Sequence, residues 1–251
     1  METAYARRVR ETVEQVQGRG SIRVERHELG PLVTYMEHPE DALKIAQLAE
    51  GRPLPKDLSK NFHRHSRVIF SWRARERPES ISGEFCLTHI AEAVAHGPQK
   101  RQSAEPASEP RAEAEKLMAE LRVFGTHPVG GTGTYSALRL ASNEDSEHPE
   151  HPEHPGDFRG LDGDLVLRPQ AGAYSAPHQL REYLDVTLLA KGLHDWQYLY
   201  AAPYPGNYGM GASLPYLWDG LDFLAREFPD DDLSKPYARL EDRTETIGAG
   251  S

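Results

Sequence analysis

Apolar positions recur along the chain with two different periods, and each change of period marks an element. From Tyr5 to Gln17, Val9, Val13 and Val16 fall at helical spacing, and Gly18 and Gly20 follow as stop signals. SIRVERHEL then alternates, with Ile22 and Val24 opposed to Arg23 and Glu25, which predicts a strand. After Gly30-Pro31, HPEDALKIAQLAEG carries Pro39 in a first turn, apolar Ala42, Ile45, Ala46 and Ala49, and Gly51 at its end, the pattern of a helix. LPKDLSKNFHRHS repeats this on a smaller scale with Pro55, Leu58 and Phe62. RVIFSWRA reads as a strand with Val68, Phe70 and Trp72 on one side, and Glu84 to Leu87 as a short strand turning into a helix that stops near Gly97.

In the second half, Leu117, Leu121 and Phe124 predict a helix over Arg111 to Phe124, and TYSALRL a strand after a glycine turn. GDLVLRP is a further short strand, APHQLREYLDVTLLAKG a helix, LHDWQYLYA a short helical or extended element, and SLPYLWDGLDFLAREF an amphipathic helix. Residues 98–115, rich in Pro, Ser, Ala and Glu, read as a surface linker. Residues 141–160, with three tandem His-Pro-Glu-like units, hold too little apolar surface to offset the entropy of ordering and read as an acidic insertion. Residues 229–251 read as a polar, frayed tail. Strands and helices mix without regular alternation, so the expected class is α+β, a mixed and mainly antiparallel sheet flanked by helices, in a single domain over residues 1–228.

The chain's 251 residues, 38% hydrophobic, suffice for a substantial core. No apolar run approaches the ~18 residues of a membrane span, and the charged N-terminus lacks the apolar stretch of a secretory signal. No membrane association is expected, and the expected location is cytoplasmic. The single cysteine, Cys86, offers no internal disulfide and no thiolate zinc site. Trp72, Trp196 and Trp218 lie in apolar patterns and are core candidates; an exposed tryptophan would instead point to an interface.

The net charge of -10 is unevenly placed. Residues 141–164 carry eight acids and the single base Arg159, and residues 219–245 carry nine acids and four bases. No Lys/Arg cluster suited to phosphate backbones stands out, which argues against nucleic acid and for a basic protein partner. The candidate partner-binding residues are Glu144, Asp145, Glu147, Asp157, Asp162 and Asp164 in the first window and Asp230, Asp231 and Asp232 in the second.

Other candidates for chemistry are weaker. In a polyproline conformation His148, His151 and His154 sit roughly 9 Å apart, too far for one ion. His63 and His65 share a side only on extended chain and read as surface or cap histidines. Gly130, Gly131 and Gly133 precede a strand, whereas phosphate loops precede a helix, so they read as a tight turn. Asp162 and Asp164 beside Gly160 and Gly163 read as turn residues. With no nucleophile elbow, zinc-protease or phosphate-loop motif, no catalytic residue, metal or cofactor is expected.

Three segments in order carry a resemblance. LPKDLSKNFHRHSRVIFSWRA resembles the helix and aromatic strand of the SUKH superfamily, which contains the fungal Smi/Knr cell-wall regulators and many bacterial immunity proteins. GGTGTYSALRL is similar to that family's glycine turn and strand, with Thr134 where the family commonly has Asp. LREYLDVTLLAKGLHDWQYLY looks like its late helix and the Asp-Trp-Gln stretch that follows. The resemblance spans roughly Leu29 to Tyr200 and implies an α+β domain that binds a partner without catalysis. The expected function is immunity, the neutralising of a cognate polymorphic toxin by occlusion of its active site. The alternative is an intracellular regulatory scaffold related to the fungal regulators.

Overall fold

The computed structural model describes residues 3–33, 39–50, 59–60, 62–75, 81–96, 119, 121–127, 135–139, 164–167, 174–177, 180–200 and 208–249. The element order is α1 (Ala4–Gln17), β1 (Ile22–Leu29), α2 (Pro39–Glu50), β2 (Arg67–Ala74), β3 (Ser82–Thr88), α3 (Ile90–Ala95), β4 (Leu121–Thr126), β5 (Tyr135–Arg139), β6 (Asp164–Leu167), β7 (Tyr174–Pro177), α4 (Leu180–Leu189), a 3-10 turn (Trp196–Leu199), α5 (Tyr208–Glu227) and α6 (Ser234–Ala249). The seven strands form one sheet in the order of the chain, and every described pairing is antiparallel. The fold is α+β, as expected.

Thr3 opens α1 by accepting the Ala6 N–H on its hydroxyl, and it also donates to the Phe62 carbonyl, tying the helix start to the chain before β2. Tyr5, Val9, Val13 and Val16 bury the predicted stripe. β2 and β3 occupy inner positions of the sheet and are buried nearly throughout. Val68, Phe70 and Trp72 join the main core; Trp72 stacks on Phe223 of α5 with centroids 5.8 Å apart. Gly83 leaves room for that indole, since a Cβ there would stand 2.5 Å from Trp72 Nε1.

Only Cys86 and Leu87 of β3 pair with β4, opposite Thr126 and Gly125. The start of β3 bonds instead to the chain after α4: Glu84 N–H donates to Gly192 O at 2.7 Å, and His194 N–H to Ser82 O at 3.1 Å. Lys191 and Asp195 take positive φ beside Gly192, whose own φ is +69°. The Lys-Gly-Leu-His-Asp segment thus works as a short partner to β3 and carries Trp196 into the core against Tyr183.

Three expectations are corrected. Leu121–Thr126 is strand where the spacing suggested the end of a helix; both faces of the sheet are buried there, and a register shift between Val123 and Gly125 disturbs the alternation, so Leu121 and Phe124 mimic helical spacing. Residues Ser234–Ala249, expected to fray, are helix α6, which buries Pro236, Leu240 and Arg243 just after buried Leu233. His63, read as a surface or cap histidine, is 6% exposed and packs against His89 at the start of α3. The linker 98–115, the insertion 141–160, Gly130, Gly131 and Gly133 lie outside the described residues.

Candidate functional site

α5 ends at Glu227, Phe228 turns into the core, and the chain reverses through Pro229, Asp230, Asp231 and Asp232 into α6. The three acids take different roles. Asp230 and Asp232 are exposed, and Asp232 accepts the Ser234 N–H at 3.0 Å in the first turn of α6; the Ser234 side chain and then this N–H hold its carboxyl below the usual range. Asp231 turns inward, its Oδ2 lying 2.6 Å from Nζ of Lys191. That ammonium also donates to Gln15 Oε1 at 3.1 Å and lies 5.0 Å from the Phe228 ring centre. Burial pushes the Lys191 pKa down, with Asp231 acting in the opposite direction.

Along the α5–α6 pair, Asp219, Asp222, Glu241, Asp242 and Glu245 are exposed, with Arg226, Lys235 and Arg239 as the exposed bases. Trp218 differs from the other two tryptophans: Trp72 and Trp196 are fully buried, while Trp218 sits at the core margin with its ring centre 6.0 Å from that of Tyr237. The Tyr237 hydroxyl donates to Asp222 Oδ1 at 2.7 Å, and burial together with that carboxylate pushes the phenol up. The hairpin therefore offers a half-covered aromatic pair bordered by carboxylates, an arrangement suited to anchoring a protein surface with basic groups. The acidic window 219–245 of the sequence covered these carboxylates; the pairing of Trp218 with Tyr237 depends on how α6 lies on α5, which no local pattern carries.

Of the other predicted acids, Glu144, Asp145, Glu147, Asp157 and Asp162 lie outside the described residues, and Asp164 opens β6 opposite Pro177.

His63 and His89 form a buried ring pair with centroids 5.4 Å apart. Among the described residues neither ring nitrogen of His63 meets a partner in hydrogen-bonding geometry, although backbone groups of His65 and Thr88 lie near the ring. His89 Nδ1 accepts the Ala91 N–H at 3.2 Å. Burial pushes both pKa values down, to about 3 for His63 and about 4 for His89, so both rings are neutral at pH 7. His65 contacts Gly30 O through Nδ1 at 2.9 Å. The buried thiol of Cys86 is pushed up by burial, away from the thiolate that reacts. Among the described residues no three His, Cys, Asp or Glu side chains are grouped to hold a metal ion, and no helix is long and apolar enough to cross a membrane. Comparison with protein-family models, curated proteins and solved structures returned no match for this chain.

Proposed function

We propose that this chain is a non-enzymatic binding protein of the immunity type, which neutralises a cognate toxin domain in the cytoplasm by covering its active site. The observation that carries this reading is the α5–α6 hairpin, where half-covered Trp218 and Tyr237 are bordered by Asp219 and Asp222. Toxins that act on nucleic acid are basic around the cleft, and an acidic face speeds encounter with such a surface while an aromatic anchor lengthens the complex's life. The resemblance of three segments to the SUKH superfamily supports the same reading.

The test is co-expression with toxin domains encoded beside this chain. Rescue of growth by the wild type, lost in a folded Trp218→Ala, Asp219→Lys double variant, is the expected result. Failure of the folded wild type to rescue against any of them removes the immunity reading. Recovery of envelope-synthesis or signalling proteins in a pull-down would then favour the regulatory scaffold.

A further inference from the structure

β1 is the first strand of the sheet; among the described residues β2 is the one strand paired with it, and α1 reaches it from the core side, where Gln17 Nε2 lies 3.1 Å from His27 Nδ1. Its sequence, Ile-Arg-Val-Glu-Arg-His-Glu-Leu, would ordinarily place Arg23 and Glu25 on one face and Arg26 and Glu28 on the other. A register shift between Val24 and Arg26 changes this. Val24 faces Trp72 and His27 faces Phe70 in the ladder, whereas Arg23, Arg26 and Glu28 are opposite Arg73, Ser71 and Ile69. Arg23, Arg26 and Glu28 therefore share the face away from the main core, and Glu25, the residue at the shift, reaches the same side to meet Arg23 at 2.8 Å and Arg73 at 3.1 Å. Arg26 clasps Glu28 through two bonds of 2.7 and 2.9 Å.

One face of this edge, which no second strand covers among the described residues, thus reads plus, minus, plus, minus. A copy of the same strand laid antiparallel beside it reads minus, plus, minus, plus. About a two-fold axis between Glu25 and Arg26, Arg23 meets Glu28 of the second copy and Glu25 meets its Arg26, each contact occurring twice by symmetry. The ends match as well. Ile22 stands opposite the second copy's Leu29, and Leu29 is 52% exposed in the single chain, with Leu32 beyond it at 50%. Unpaired edges invite strands, and charges on them decide which strands are accepted. A uniformly charged edge rejects its own copy; this one complements it.

We infer that β1 is a homodimerisation edge, pairing antiparallel with β1 of a second copy of this chain to continue the sheet across a two-fold axis. The occupant is a second copy because the charge order and the apolar ends of β1 are their own complement.

The test is sedimentation velocity of the full chain across a micromolar concentration series, with Arg23→Glu and Glu28→Arg variants alone and mixed. The wild type is expected to move to twice the chain mass as concentration rises. Each variant alone sets like charges opposite one another twice per dimer and is expected to weaken association about tenfold or more. An equimolar mixture restores both opposite-charge contacts and is expected to dimerise like the wild type. Both side chains are exposed, so unchanged unfolding midpoints check that the variants fold. A wild type that stays monomeric throughout the series overturns the inference. So does a dimer indifferent to both variants, and so does a mixture of folded variants that fails to associate.

Discussion

Nζ of Lys191 lies 2.6 Å from Oδ2 of Asp231, with the lysine side chain 4% exposed and the aspartate 22%. The pair joins the turn after α4 to the loop between α5 and α6, and Gln15 brings α1 to the same ammonium. Its two members differ in their access to water. An ammonium that loses Asp231 keeps its desolvation cost with only the neutral Gln15 and the Phe228 ring to offset it, whereas a carboxylate that loses Lys191 can still be partly hydrated.

Asp231→Ala is therefore expected to destabilise the protein by roughly 3–5 kcal/mol, the usual cost of orphaning a buried charge. Lys191→Met, which removes the buried charge and retains an apolar stem over Phe228, is expected to cost less, and the double variant Lys191→Met, Asp231→Ala less than Asp231→Ala alone. Urea unfolding of the three variants checks this. A loss below about 1 kcal/mol for Asp231→Ala would assign the contact the modest worth of a surface pair.

Gly192 makes the sharpest backbone demand. Its φ is +69°, and a Cβ would stand 2.6 Å from the Glu84 carbonyl oxygen and 2.8 Å from its carbon. The strained conformation and the collision with backbone together predict a cost of roughly 2–5 kcal/mol for Gly192→Ala. Gly20→Ala, where nothing lies within 4 Å, is the matched control, expected to fall within about 0.5 kcal/mol of the wild type. Thermal unfolding of the two variants side by side separates them.

The difference between these glycines is invisible in the sequence, where both follow helices. What was legible came from local periodicity. Val9, Val13 and Val16 announce α1, and Val68, Phe70 and Trp72 announce β2 because each sets a full apolar stripe against the core. α6 was missed because its buried stripe is sparse, built from Pro236, Leu240 and the stem of Arg243, and becomes helix-forming only against α5. In the candidate site, the negative charge of residues 219–245 was readable, but the inward turn of Asp231 follows from Lys191, forty positions away in the sequence. His63 was misread for the same reason, since its neighbour His89 arrives from beyond two strands.

The His63–His89 pair gives stability a specific pH dependence. In the unfolded chain both rings protonate near the ordinary 6.5, whereas the fold holds them neutral down to about 3 and about 4. Below 6.5 the unfolded state binds more protons than the native state, so stability present in full above that pH is lost as pH falls toward the folded values. Each ring contributes up to about 1.4 kcal/mol per pH unit within its window. Replacing His63 with Phe removes one of the two proton sites, so the urea midpoint of His63→Phe is expected to fall less steeply than that of the wild type between pH 6.5 and 4. Parallel slopes over that interval would show that the His63 ring is not the group that titrates.

For the acidic hairpin, encounter and persistence separate. Asp219 and Asp230 are exposed, and neither has the internal roles of Asp222 and Asp231. Asp219→Lys, Asp230→Lys is expected to slow association with a basic toxin domain by about tenfold at low salt and to flatten the salt dependence of the association rate, with little change in the dissociation rate. Trp218→Ala is expected to act on the other constant, speeding dissociation by roughly thirtyfold, which corresponds to the ~2 kcal/mol of an aromatic anchor, while leaving association nearly unchanged. Surface-bound kinetics over a salt series with the rescuing toxin domain resolve the two constants. If both variants bind as the wild type does, the toxin is met by a different face of the protein, and the hairpin's charge and its aromatic pair have no part in the complex.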